Sequence, residues 1–249
     1  MTERHAVVRT RHELKRRTLT VLSQDRLTPR MIRIVLGGDD LEGFVSLGHD
    51  DHVKLFFPDG SDGPPAMRDF TPRHYDPTAR ELTLYFALHH AGPATAWAEQ
   101  ARPGQTLSIG GPRGSMVLTD DFDWYLLAGD ETALPAIARR LEQLRPTATV
   151  LVLVTVVDAA EQMALSSSAK VSVRWIHRPP SRAADPEPLL AALAETTLPE
   201  GEGHAWIAAE SGVAKAARAH LVQRGQNPAW IKAAGYWRAG DAAVHDHLD

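Results

Sequence analysis

This chain has no cysteine among its 249 residues. That one absence excludes structural disulfides, thiolate nucleophiles and cysteine-ligated iron–sulfur clusters. If the protein moves electrons, it does so with a borrowed, non-cluster cofactor. Long apolar runs are missing too. No stretch approaches the ~18 apolar residues needed to span a bilayer. The basic run Arg4, Arg9, Arg11, Lys15, Arg16 and Arg17 is not followed by the apolar ~7–15 residues of a secretory signal. The run is expected to be a solvated arm, and the chain cytoplasmic, without stable membrane association. Positive charge is also in short supply. The net charge is −4, and no basic stripe with interleaved aromatics offers a nucleic-acid surface. No HExxH pattern stands among the 12 histidines, and the one tight group, His245 and His247, lies in an acidic tail expected to be disordered. No resident metal is expected.

What is present is an ordinary globular composition, 43% apolar and 23% charged. The length suits one large domain or two small ones. From about residue 18 to 118 the rhythm is that of short strands: Thr18–Ser23, Arg30–Leu36, His52–Phe57, Glu81–Leu88 and Gln105–Gly110. Turn signals separate them at Gly37–Asp40, Pro58–Gly60 and Arg102–Gly104, which predicts a barrel or sandwich. One helix is expected at Ala94–Ala101. From about residue 124 strands alternate with helices. Trp124–Ala128, Thr149–Val157, Val171–Ile176, Ala205–Ala209 and Ile231–Ala234 are the strands. The second and third read as buried on both faces. Helices are expected from Gly129 to near Leu144, over Glu187–Glu195 and over Val213–Arg224, giving a parallel, helix-covered sheet.

Five runs carry candidate chemistry. The first is Arg68-Asp69-Phe70-Thr71-Pro72-Arg73, which gathers two guanidinium groups, a flat ring and a hydroxyl. If extended, it puts Arg68 and Phe70 on one face and Thr71 on the other. Arginine forks suit a pyrophosphate, and the ring suits a flat heterocycle. An edge strand with solvated arginines has the same pattern. The second is Leu88-His89-His90-Ala91-Gly92-Pro93-Ala94-Thr95, where uncovered backbone at a helix start favours an anion. A plain Gly-Pro helix start would look no different. The third is Gly110-Gly111-Pro112-Arg113-Gly114, a tight backbone corner. It either ends a strand or lets a flat cofactor approach Gly111 and Gly114.

The fourth run is Gly129-Asp130-Glu131-Thr132-Ala133-Leu134-Pro135. It follows a strand and opens a helix, which places Gly129, Asp130 and Thr132 at the carboxyl edge where α/β sheets bind ligands. It is not GxGxxG, and its two acids would repel a nearby pyrophosphate. A nicotinamide cofactor should therefore lie differently here than in a Rossmann dehydrogenase. Asp158, closing the next strand, would accept ribose hydroxyls and leans towards NADH. The fifth is Gly235-Tyr236-Trp237-Arg238-Ala239-Gly240, expected in a loop after the last strand. Its aromatics either stack on a ligand ring or cover the core.

Together these runs resemble the siderophore-interacting proteins, flavin-dependent ferric-siderophore reductases related to the ferredoxin-NADP reductases. The family's R-x-Y-T-x-R motif is matched by Arg68, Phe70, Thr71 and Arg73, with Phe for the usual Tyr. Its H-x-x-G-P-A segment is matched by His89, Gly92, Pro93 and Ala94, with Thr95 where Ser is common. Its G-D-E-T-A-L-P-A segment is matched unchanged from Gly129 to Ala136, and its G-Y-W-R segment from Gly235 to Arg238. The resemblance implies a six-stranded antiparallel Greek-key flavin-binding barrel over residues 1–120. A parallel-sheet nicotinamide-binding domain over 121–249 would follow it. It implies FAD held by Arg68, Phe70, Thr71 and Arg73, with its pyrophosphate near His89, Gly92, Ala94 and Thr95. Thr71 would hydrogen-bond the flavin, and Trp237, beside Tyr236, would shield the ring or gate NADH or NADPH. Lys54, Arg113 and Arg238 are the basic candidates for capturing a ferric siderophore. The protein would act as a monomer or weak dimer. A general flavin reductase with another acceptor, and a siderophore-binding module without turnover, are the competing readings.

Overall fold

The computed structural model describes residues 4–57, 64–88, 92–240 and 246–248. The chain divides into two compact units, Met1–Thr119 and Asp120–Asp249.

The first unit contains β1 (Val7–Arg11), β2 (Arg16–Thr28), β3 (Met31–Gly37), β4 (Val53–Phe57), β5 (Ala66–Phe70), β6 (His74–Asp76), β7 (Glu81–Ala87), α1 (Pro93–Gln100), β8 (Thr106–Gly110) and β9 (Gly114–Leu118). Seven strands form one antiparallel sheet in the order β5-β4-β8-β2-β3-β7-β6. Six strands were expected. Seven are found; β5 holds Arg68–Phe70 of the first run, and β6 has only three residues.

The sheet's two edges, β5 and β6, are consecutive in the chain, joined only by Thr71, Pro72 and Arg73. Consecutive Cα atoms are about 3.8 Å apart, so that link spans at most about 15 Å. The sheet must therefore curl until its edges nearly meet. Its inner face is the core. Leu19, Val21, Ile32, Ile34, Leu36, Val53, Leu55, Phe57, Leu82, Leu84, Phe86, Leu107 and Ile109 alternate along their strands and are buried. Helix α1 lays Ala98 and Trp97 on this cluster.

The N-terminal basic run is not a free arm. Val7–Arg11 pairs antiparallel with β9, from Val7 opposite Leu118 to Arg11 opposite Gly114. The pairing needs Gly114, because a Cβ there would stand 2.5 Å from the Thr10 carbonyl. The expected turn at Pro58–Gly60 lies outside the described residues.

The second unit contains β10 (Trp124–Asp130), α2 (Leu134–Gln143), β11 (Thr149–Val156), β12 (Lys170–His177), α3 (Glu187–Glu195), β13 (Gly203–Glu210), α4 (Ser211–Gln223), β14 (Ile231–Trp237) and β15 (Asp246–Leu248). Five strands run parallel in the order β12-β11-β10-β13-β14, with β15 antiparallel outside β14. The order reverses at β10, so the carboxyl ends of β10 and β13 form the crevice where such sheets bind ligands. The central strands β10 and β13 are buried along their whole length.

Three expectations need correction here. Strand β12 is not buried on both faces; it is the sheet's edge, and Ser172, Val173 and Arg174 are exposed. Gly235, Tyr236 and Trp237 are not in a loop, because β14 continues through them. Part of the tail, Asp246–Leu248, is a strand rather than disordered, while His245 lies outside the described residues. Among the described residues no helix is long and apolar enough to cross a membrane.

Candidate functional site

In the first unit the Arg68–Arg73 run occupies the seam of the curled sheet. Pairing of Phe70 with Val53 and of Arg68 with Leu55 places both side chains on the inner face, at the edge strand. Phe70 is half-buried. Its ring lies 4.4 Å from that of Phe86 and 6.3 Å from that of Phe57. Trp97 of α1 completes the group, 5.8 Å from Phe57 and 5.7 Å from Phe86. The aromatic network therefore links the seam to the helix. Thr71 and Pro72 are buried in the link. Arg73 anchors it with a backbone hydrogen bond to the Thr83 carbonyl, 3.0 Å, and lays its guanidinium over Tyr85. Arg68 donates to the neighbouring Met67 carbonyl at 2.7 Å.

Helix α1 begins as expected. Gly92 is its exposed N-cap, Pro93 follows, and no side chain caps the first turn. Among the described residues, a Cβ added at Gly92 would meet nothing within 4 Å. Ala94 and Thr95 lie in this first turn. His89 lies outside the described residues. Arg68 and the half-buried Phe70 ring share the inner face with the aromatic cluster on which the glycine-started helix packs, an arrangement that fits a flat cofactor with a diphosphate, while Arg73 lies over Tyr85 on the other face.

The glycine corner ends β8 and leads into β9. Gly111 adopts φ +91°, its N–H donates to the Lys15 carbonyl, and its own carbonyl accepts from buried Arg17 at 3.2 Å. Gly114 serves the β1 pairing. Both glycines are explained by packing within the sheet. Arg113 is exposed. Lys54 stands in an ion pair, its Nζ 2.8 Å from Oδ1 of Asp69.

In the second unit the carboxyl edge is acidic and internally bonded. Asp130 ends β10 with 1% of its surface exposed. One of its oxygens accepts from the backbone N–H and hydroxyl of Thr132, at 2.9 and 2.5 Å. The other accepts from the Glu210 N–H at 3.1 Å and the Trp237 indole N–H at 2.8 Å. Asp130 and Thr132, expected to touch a cofactor, bond to each other, and Asp130 also to the ends of β13 and β14. Gly129 has a packing reason as well, since a Cβ there would lie 2.1 Å from the Ala208 carbonyl.

Glu210 caps α4 through the N–H groups of Gly212 and Val213, and Ser211 donates to the Trp237 carbonyl at 3.1 Å. Trp237 is thereby held at both its indole and its backbone while remaining half-exposed. Tyr236 turns the other way and meets Trp206 edge-on at 6.1 Å. Arg238 is exposed. Asp158 is exposed at the end of β11, one oxygen accepting from the Ala160 N–H at 2.8 Å.

Sequence reasoning missed the buried pair beside this clasp. Arg178, 2% exposed, donates to Glu131 at 2.8 Å. Burial pushes the Glu131 carboxyl up to about 7; the charge of Asp130 raises it further, and Arg178 opposes both. Buried Glu161 adds another negative charge. Arg178 opens the proline-rich segment 178–188, which reads as an ordinary loop, and nothing in it points to Glu131, 47 residues away. Among the described residues no group of His, Asp and Glu could hold a metal ion.

Known proteins match this arrangement throughout. The family model described as siderophore-interacting protein matches residues 122–240, and that of the siderophore-interacting FAD-binding domain matches 20–67 and 59–116. The NADPH-dependent ferric-chelate reductase of Escherichia coli K12 is 38% identical over 93% of this chain and 96% of its own. The solved structure of a siderophore utilization protein from T. fusca is 35% identical, with a TM-score of 0.89 over 98% of this chain and 99% of that one. A ferredoxin NADP+ reductase from Neisseria gonorrhoeae shares the fold, with a TM-score of 0.62 at 16% identity over 85% of this chain and 92% of that one. This chain belongs to the siderophore-interacting protein family.

Proposed function

We propose that the protein is a FAD-containing, NAD(P)H-dependent ferric-siderophore reductase that releases iron as Fe(II). The seam of the first unit carries this reading: the family's flavin motif lies where the two sheet edges meet, on one aromatic cluster with the glycine-started helix. When bound there, FAD supplies the step from a two-electron hydride donor to one-electron ferric acceptors. Arg68 and Arg73 offer charge to its diphosphate, and the N–H groups at the start of α1 add the helix dipole. Phe70 gives its ring a surface, and Thr71 a hydroxyl. In the second unit Trp237 presents a fixed indole at the carboxyl edge for the nicotinamide nucleotide. The buried acids there keep its pyrophosphate away from the start of α2.

Lys54, Arg113 and Arg238 are the basic contacts for the ferric siderophore, steering anionic chelates. The substrate is already chelated iron, so no protein ligand to the metal is required. The name of the E. coli relative favours NADPH, whereas Asp158 at the end of β11 favours NADH. The cytoplasm, as monomer or weak dimer, is the setting we infer. Purified protein should absorb near ~450 nm, bleach anaerobically with NADPH or NADH, and regain colour on adding a ferric siderophore while Fe(II) is trapped. A colourless protein that does not take up added FAD would end this reading.

A further inference from the structure

Lys54 faces a counter-charge that the flavin motif itself supplies. The sheet register sets Arg16 opposite Gly110, Gly110 opposite Lys54, and Lys54 opposite Asp69. These four residues form one row across β2, β8, β4 and β5, with side chains on the same face. Gly110 contributes no side chain, so the charged members of the row are Arg16, Lys54 and Asp69. The Arg16 guanidinium lies 4.2 Å above the Phe56 ring, two residues along from Lys54 on that face. Lys54 Nζ is 2.8 Å from Asp69 Oδ1, and the two side chains are 37% and 16% exposed. The contact joins the partly exposed ammonium to a buried carboxylate oxygen. It neutralises part of the ammonium's charge.

We propose that Asp69 is a specificity-determining residue. It cancels part of the Lys54 charge and so biases the protein towards ferric chelates of low net negative charge, such as hydroxamates, over polyanionic catecholates. An acid inside a cation-rich run opposes anion binding, and an ion pair whose lysine is more than a third exposed adds little to stability. Its effect therefore falls on the ligand. A chelate meeting Lys54 approaches the Asp69 carboxylate as well, and repulsion grows with each negative charge it carries. The inference rests on the reading of Lys54 as a siderophore contact.

The holoprotein can be titrated, by quenching of its tryptophan fluorescence, with a trianionic ferric tris-catecholate and a neutral ferric tris-hydroxamate. Asp69→Asn keeps the shape and removes the charge. It should tighten the catecholate about tenfold or more and change the hydroxamate less than about twofold. The gain should shrink in high salt. Flavin absorbance per protein should stay at the wild-type value. No change for either chelate, or an equal change for both, would overturn the charge-cancelling role. Lys54→Ala separates the two levels of inference. If it leaves catecholate affinity unchanged, Lys54 is not a siderophore contact and the proposal falls with that reading. If it weakens the catecholate while Asp69→Asn does nothing, Lys54 keeps its role and Asp69 alone loses the one proposed here.

Discussion

The two units handle charge in opposite ways. In Met1–Thr119 the charged groups singled out for binding are half-exposed or exposed: Arg68, Arg73, Lys54 and Arg113. In Asp120–Asp249 the charged groups at the sheet's carboxyl edge, Asp130, Glu131, Glu161, Arg178 and Glu210, are buried or nearly so, with Arg178 bonded to Glu131 and Glu210 to Asp130. Water reaches the first set, so its energetic weight falls on whatever ligand displaces that water. The second set has exchanged water for protein partners, so its weight falls on the fold and on where Trp237 points.

The largest effect should come from the buried side. Arg178→Ala removes the guanidinium facing Glu131 and leaves acids crowded without it. Breaking a buried pair by deleting one partner costs roughly 3–5 kcal/mol. Urea unfolding at pH 8 should show a loss of that order. A loss below about 1 kcal/mol would mean that the carboxyl edge is no more dependent on its charges than the seam is.

The same pair should give a pH signature that the first unit lacks. Glu131 is raised from 4.5 to about 7, so the folded state holds its proton more tightly than the unfolded state does. Its contribution is present in full below 4.5, is lost as pH rises towards 7, and stays lost above that. The loss amounts to as much as about 3 kcal/mol. Unfolding free energies between pH 5 and 8 should therefore fall more steeply for the wild type than for Glu131→Gln. Parallel curves would show that Arg178 keeps Glu131 ionised throughout.

On the exposed side the expected loss is in ligand binding. Arg68→Ala deletes a charge-assisted contact to a diphosphate, worth roughly 1.5–3 kcal/mol. Flavin per protein should drop after dialysis, while the unfolding midpoint of the flavin-free protein should barely move. Full occupancy would place the diphosphate elsewhere and remove the contrast between the units.

Much of this was legible in the sequence. Strands with buried alternation, such as Ile32–Ile34–Leu36 and Leu82–Leu84–Phe86, announce themselves by periodicity. So does β11, whose β-branched run is buried. What failed to show was long-range pairing. Val7–Arg11 reads as a basic arm because its partner, β9, lies more than a hundred residues away. Val171 and Val173 suggest burial on both faces, yet β12 sits at an edge that its sequence does not specify. The flavin motif was visible residue by residue. Its position at the closing seam was not, because that depends on which strands become the edges. Asp130 was visible as an acid at a helix start, but its bond to Trp237, 107 residues on, was not.

The smallest effect should be at the Lys54–Asp69 pair, and its size decides what kind of interaction this is. With Lys54 more than a third exposed, attraction is screened and ordering a long side chain offsets much of the remainder. Lys54→Ala and Asp69→Asn should each change the unfolding free energy by less than about 1 kcal/mol. The double variant should match the sum of the singles within about 0.5 kcal/mol. Such near-additivity would make the pair a surface feature whose significance lies in ligand charge. A coupling as large as the Arg178 effect would instead mean that the seam is stapled by this pair. The outer face of β4 and β5 would then belong with the buried acids of the second unit rather than in contrast to them.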